Sequence, residues 1–531
     1  MEAKEKLYFN GDILTLENDL YVEAVLTKGD KIYKIGAKDA LLKEAGKQVE
    51  LFDLQGKTLM PSFIDAHSHF SGYASSFTQV NLKETVNFEE ISEAIKDFIK
   101  RNRIAPGAWI QADGYDQNYL EEKAQPTREL LDKAAPLNPI VVKHKSGHMG
   151  VFNTLALKEL GITPETPSPE GGNIEKKDDE LTGYMEENAF VYYIQQLPML
   201  SKEEFLESLM KAQETYASYG ITTAQDGFVV EQLAPLYQYL MESNKLKIDL
   251  IGYLDIQNAE VLKEKFKNCL LKYDHHVKMG GYKTFLDGSP QGRTAWMRTP
   301  YKGEKDYFAY GTQTDVEIEV KLEFALKEKM QILVHCNGDA ACEQYLNQYR
   351  IAREKINTNC DIRPVMIHAQ LLDLDQIGKV KELHIIPSFF VTHVYYWGDI
   401  HRQNFGEERA SRISPVKSAL EKGIIYTFHH DAPVTEPNMI EIIWCAVNRV
   451  TKNGVVLGQN QKISPIDAIK AVTYNAAYQY FEEDMKGTIR EGKLADFVIL
   501  DKNILKVPPM EIKNIKVLET IKQGETIYKS R

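Results

Sequence analysis

Between Ile140 and Thr427, short apolar runs rich in β-branched residues alternate with longer stretches of helical character. The runs are Ile140-Val141-Val142, Ile221-Thr222-Thr223, Asp249 to Tyr253, Gly281 to Leu286, Ile332-Leu333-Val334, Val365-Met366-Ile367, Ile385-Ile386-Pro387 and Ile424 to Thr427. Stretches such as Lys202 to Tyr219 and Val316 to Lys329 lie between them and suit helices. Strands separated by helices pair in parallel, because the crossover returns the chain to the starting edge. The alternation therefore predicts an α/β chain with a (β/α)8, TIM-like barrel. A doubly wound open sheet is the rival, and no Gly-x-Gly-x-x-Gly follows an early strand to support it.

The two ends have a different character. Residues 1–60 and 485–531 read as short strands joined by Gly-containing turns, such as Leu7 to Asp12 and Val517 to Tyr528. Together they predict one small β-sandwich domain built from both termini, with residues 61–484 forming the barrel. Residues 71–200 are too many for one connection and predict an excursion over the barrel mouth.

The net charge of −12 argues against nucleic acid or an anionic membrane as the main partner. A small-molecule substrate is expected, and a homo-oligomer is compatible with the composition. The five cysteines are scattered and form no Cys-x-x-Cys pair, which suggests reduced, mostly buried thiols. No run approaches the ~18 apolar residues of a membrane helix. The amino terminus leads into an alternating strand with no apolar signal core, so a cytoplasmic location is expected.

Polar residues at the ends of the apolar runs carry the chemistry. Pro61-Ser62-Phe63-Ile64-Asp65-Ala66 runs into His67-Ser68-His69, whose two imidazoles share one face of an extended segment. His335, His368 and Asp431 follow three other runs, and Lys283 lies within a fourth. A barrel gathers its active site at the carboxyl ends of its strands. Each residue alone has an ordinary structural explanation: a hydrogen-bonded core histidine, a turn aspartate before proline, a lysine reaching for water. Core packing does not explain the ordered set His-x-His, Lys, His, His, Asp, which suits a borderline-soft divalent metal.

These motifs resemble the metal-dependent amidohydrolase superfamily, and most of all amidohydrolase family 3, the branch that includes N-substituted formamide deformylases. The resemblance runs from Phe9-Asn10-Gly11-Asp12 through Ile64 to His69, Tyr282 to Ser289, His335 to Ala341 and Ile367 to Gln370, and ends in Gly487 to Val498. It implies metal ligands at His67, His69, Lys283, His335, His368 and Asp431. It also implies a Lys283 carboxylated on its amine, bridging two metals, with zinc the first choice. A single metal with unmodified Lys283 is the alternative. The implied activity is hydrolysis of a non-peptide amide-type C–N bond by hydroxide generated at the metal, on an N-substituted formamide or acylamine. Asp431 would be the proton shuttle. Cyclic amide, imide or carbamate hydrolysis is the alternative chemistry, and a non-catalytic oligomeric scaffold a third reading.

His148, Arg293 and His393 are candidate substrate contacts, each with a loop or structural alternative. Phe428-His429-His430 stands where many relatives have small residues, and alternation turns His429 to the side of Asp431, as a substrate contact or ligand support. Asp287 and Asp339 suit ligand or loop support. His144, His275, His276, His384 and His401 read as loop or surface residues. Trp109, Tyr115, Trp296, Tyr395, Tyr396 and Trp397 are candidates for an apolar substrate wall.

Overall fold

The computed structural model describes residues 4–531, which form three sheets. The central sheet has eight parallel strands in the order Phe63–Ile64, Ile221–Val229, Asp249–Asp255, Val277–Phe285, Gln331–Cys336, Val365–His368, Ile386–Phe389 and Thr427–Phe428. Helices connect them, among them Lys202–Ser218 and Asp315–Glu328. Both of these begin with a capping box, Ser201 with Glu204 and Thr314 with Glu317, which satisfies amide groups the first turn leaves open.

The sheet curls on itself. Ile64, Ile251, Leu333, Val365, Ile367 and Ile386 come from strands spread across it, yet share one buried cluster with Tyr480. The first and last strands form no ladder with each other. Beyond their ends the backbone bridges the gap: the His69 N–H donates to Ala432 O at 2.9 Å, and the Asp431 N–H donates to His67 O at 3.2 Å. Residues distant in sequence thereby become neighbours at the carboxyl end of the sheet.

Residues 71–200 build a second sheet of six strands, ordered Gly172–Lys177, Glu180–Glu186, Met149–Phe152, Ile140–His144, Ile110–Tyr115 and Val80–Asn81. The Ile140 run therefore belongs here and not to the central sheet, a correction to its sequence assignment. Its alternation feeds two cores: Ile140 and Val142 pack with Leu131 on one face, and Val141 packs with Phe152 and Met185 on the other.

The third sheet joins the termini. Its path is Glu525–Lys529, Val517–Lys522, Phe497–Leu500, Thr58–Pro61, Glu5–Leu14, Tyr21–Lys28 and Lys31–Gly36, with Glu50–Asp53 paired to Glu5–Leu14. Its eight strands, drawn from both ends of the chain, are hydrogen-bonded into one sheet. Glu5–Leu14 is its irregular member. Its pairing shifts register between Phe9 and Ile13, and its free edge is divided between Glu50–Asp53 and Thr58–Pro61. One irregular strand thus carries the sheet around its own core, where Tyr8, Ile32, Phe497 and Ile521 meet.

Buried charges fasten this sheet to the amino-terminal end of the central one. Asp249 Oδ2 accepts from Lys486 Nζ at 2.5 Å and from Lys522 Nζ at 2.7 Å, and Lys522 also reaches Asp496 at 2.8 Å.

Candidate metal centre

The six ligand-type residues converge at the carboxyl end of the curled sheet. Asp431 lies at the middle of the group. Its Oδ1 is 3.6 Å from His67 Nε2 and 3.5 Å from His69 Nε2, and its Oδ2 is 3.9 Å from His368 Nε2. His368 Nε2 is 3.1 Å from His335 Nδ1, and Lys283 Nζ is 3.3 Å from His67 Nε2. The two oxygens of Asp431 thus face two halves of the cluster, His67 with His69 and His335 with His368. His67 and Lys283 are completely buried.

Several features suit this cluster to a cation. Burial holds His67, His335 and His368 well below the usual imidazole range, and lowers His69 to about 3, so their nitrogens carry free lone pairs at neutral pH. Asp431 Oδ1 is buried and has no hydrogen-bond donor among the described residues. Lone pairs and a bare carboxylate oxygen facing one another inside a protein are costly without a positive partner. The mixture of imidazole nitrogens and carboxylate oxygen fits zinc, and also manganese, iron or cobalt.

Neighbouring groups fix these side chains. The Gln225 amide donates to Ala66 O and to Tyr480 Oη, both at 2.7 Å, so its oxygen is the atom 2.6 Å from His67 Nδ1. His67 therefore carries its proton on Nδ1 and directs the Nε2 lone pair toward Asp431. His429 lies beneath His368, with its Nε2 3.1 Å from His368 Nδ1 and its Nδ1 2.9 Å from Ser388 Oγ. Asp287 accepts backbone N–H groups from Asn337 at 2.9 Å and Gly338 at 2.7 Å, holding the loop behind His335. His430 Nδ1 accepts the Ala432 N–H at 3.0 Å, and its Nε2 is 3.3 Å from Asp65. His368 and Asp431 have left-handed backbone, with φ of 72° and 54°. That conformation costs an L side chain on the order of 1–3 kcal/mol and brings both residues to the site.

A cavity of 720 Å³ opens above the cluster, lined by both the central and the inserted sheets. His148 stands in its wall, with its ring 4.9 Å from that of His335 and its Nδ1 2.8 Å from Glu187 Oε2. Burial disfavours the His148 cation, but Glu187 outweighs burial and raises its pKa.

The other expected substrate contacts stand elsewhere. Arg293 turns onto Glu304 at 2.7 Å and lies outside the cavity wall. His393 is buried behind it, stacked on His401 with 5.3 Å between ring centroids. His429 is enclosed under His368, which it holds in place, with no face on the cavity. His144 and His401, read as loop or surface residues, are fully buried. Asp339 anchors a loop through Arg298, whose backbone N–H it accepts at 2.8 Å. The aromatic side chains facing the cavity are Phe190, Tyr192, Phe205, Phe228 and Phe285, in place of the tryptophan and tyrosine set expected.

Two contributors went unrecognised. Gln225 ends the Ile221–Val229 strand's β-branched run, and its position matched the rule that found the other site residues. Glu187 is one of many acidic residues in the excursion and carried no local signal.

The amidohydrolase family model matches residues 50–528. The chain is 25% identical to the putative amidohydrolase YtcJ of Bacillus subtilis (strain 168), over 96% of this chain and 98% of that one. It is 24% identical to the N-substituted formamide deformylase of Arthrobacter pascens, over 99% of each. An uncharacterized metal-dependent hydrolase from Pyrococcus horikoshii OT3 superposes with a TM-score of 0.76 at 26% identity, covering 95% of this chain and 99% of that one. The chain belongs to the amidohydrolase family, and it is a metal-dependent hydrolase acting on carbon–nitrogen bonds.

Proposed function

We propose that this member of the amidohydrolase family cleaves a non-peptide amide-type C–N bond, as in an N-substituted formamide or an acylamine. The observation that carries this reading is the Asp431 carboxylate, buried among imidazoles from separate strands, with one oxygen lacking any proton partner. Residues His67, His69, His335, His368 and Asp431 would hold a divalent metal, zinc first, at the mouth of a (β/α)8 barrel. When bound, such an ion supplies Lewis acidity, which makes water nucleophilic near neutral pH and polarises a carbonyl.

The side chains do the rest. Asp431 takes the proton of the attacking water and delivers it to the leaving nitrogen. His148, whose protonated form Glu187 favours, stands beside His335 and donates a hydrogen bond to the oxygen on which charge develops. The inserted sheet screens the reaction from bulk water.

Burial pushes the Lys283 amine below its usual range, which favours the neutral form that attacks carbon dioxide. As the N–C bond forms, one C=O π pair of carbon dioxide moves onto oxygen and the nitrogen loses one proton, so an uncharged amine becomes a carbamate with one negative charge shared by two oxygens.

The test is a panel of N-substituted formamides, acylamines, cyclic amides, imides and carbamates, assayed on zinc-reconstituted protein in bicarbonate. Turnover of an open-chain formamide or acylamine is expected. Turnover confined to a non-amide class would overturn the reading.

A further inference from the structure

The strand Ile140–His144 carries Lys143 and leads into the loop with Lys145 and His148; all three line the cavity, and the catalytic scheme does not use the two lysine charges. Lys143 is paired only loosely, with its Nζ 3.9 Å from Asp113 Oδ1. Lys145 has no ion-pair or hydrogen-bond partner for its ammonium among the described residues. Instead its Nζ lies over the rings of Tyr396 at 4.7 Å and Trp397 at 5.2 Å. Asp116, close enough to act on it electrostatically, is already engaged: its oxygens accept from Trp397 Nε1 at 2.8 Å and from the Asn118 N–H at 2.9 Å. Burial lowers Lys145 to about 8, the neighbouring Lys452 and Lys83 add to that effect, and Asp116 and Glu84 oppose it without touching the ammonium.

An unpaired, largely buried cation in a ligand cavity is stabilised when an anion arrives. Lys145 is three residues from His148, so their backbones lie within about 11 Å of each other. That separation is within the length of one small substrate. The cavity lining also includes the apolar side chains Phe190, Ile194, Leu197, Leu200, Phe228 and Leu233, beside acidic groups such as Asp113, Asp226 and Asp255.

We propose that Lys145, flanked by Lys143, binds a carboxylate carried by the substrate, so that the hydrolysed compound is an acidic amide with an apolar arm. This rests on the amide reading above and narrows its substrate class.

Two experiments separate the two claims. In the first, metal-loaded protein is titrated with 3-phenylpropanoate and with the neutral 3-phenylpropanol. The acid is expected to bind at least about 10-fold more tightly, and Lys145→Met to weaken the acid by about 10- to 100-fold, the value of a charge-assisted contact. Lys145→Arg should keep most of the advantage, which excludes a general folding defect. If acid and alcohol bind alike, or if the advantage survives in Lys145→Met so that the carboxylate must sit at the metal, the proposal is overturned.

In the second, kcat/KM is compared for N-formylphenylalanine and N-formylphenylalaninol. A preference for the acid that collapses in Lys145→Met supports the site. Equal turnover of both overturns the carboxylate site and leaves the amide reading standing. The expected binding pattern without turnover of either would fail the formamide reading alone.

Discussion

Replacing Gln225 by leucine isolates the group that sets the tautomer of His67. The substitution removes the acceptor 2.6 Å from His67 Nδ1, at a position with no solvent to replace it. The other partners of Gln225 remain satisfied: Ala66 O still accepts from Gln479 Nε2 at 2.8 Å, and Tyr480 Oη still donates to Asp65 O at 2.6 Å. The loss therefore falls on His67. A buried donor left without an acceptor costs about 1–3 kcal/mol. The ring can also move its proton to Nε2, which blocks the lone pair facing Asp431. Losing a hydrogen bond behind a metal-binding histidine weakens affinity by about 10- to 100-fold. That range equals about 1.4–2.7 kcal/mol, consistent with the desolvation figure. The assay is the zinc dissociation constant from chelator competition at neutral pH, for the native protein, Gln225→Leu and Gln225→Glu. Gln225→Glu still accepts from Nδ1 and should bind zinc at least as well as the native protein. An affinity for Gln225→Leu within twofold of native, or an equal loss in both variants, would refute the reasoning.

Other substitutions probe separate parts of the molecule. Asp431→Asn should retain bound metal while turnover falls by about 10²- to 10⁴-fold, the usual weight of a proton-transfer group; metal analysis beside kinetics checks this. Lys283→Arg cannot form a carbamate, so a carbamate signal seen by ¹³C NMR after growth in labelled bicarbonate should be absent from the variant. Asp249→Asn removes one of two buried carboxylates from each of Lys486, which keeps Glu482, and Lys522, which keeps Asp496, and should cost about 1.5–3 kcal/mol, read from denaturant unfolding. Burial pushes the Asp249 carboxyl up, but Lys486 and Lys522 outweigh it and hold the group well below the ordinary range. Its folded value is thus lower than its unfolded value of about 3.9, so its stabilisation is complete above that pH and fades as the pH falls further. Asp249→Asn should accordingly flatten the acid limb of the stability curve, and an unchanged acid limb would contradict the linkage.

The central strands and the side chains that cluster at their ends were legible because both follow local rules. An apolar, β-branched run marks a buried parallel strand, and a chemically able residue at its end marks the site, as with His335 and His368. What joins them was not local. Gln225 supports a histidine 158 positions away, and Glu187 engages His148 across 39. His144 and His401 looked like surface residues because polarity alone suggests water, yet a hydroxyl or a stacked ring can satisfy a buried imidazole. His144 has Ser146 Oγ at 2.8 Å, and His401 has His393 at 3.1 Å. In the terminal sheet the alternation marks the strands but not their register, and the shift between Phe9 and Ile13 has no local signal.

The metal centre itself is tested most directly by anomalous diffraction from crystals of zinc-reconstituted protein. The expected result is a zinc peak beside Asp431, at about 2.0–2.2 Å from imidazole nitrogens of His67 and His69 or of His335 and His368. Protein that carries a full equivalent of zinc but shows the peak away from these residues would contradict it.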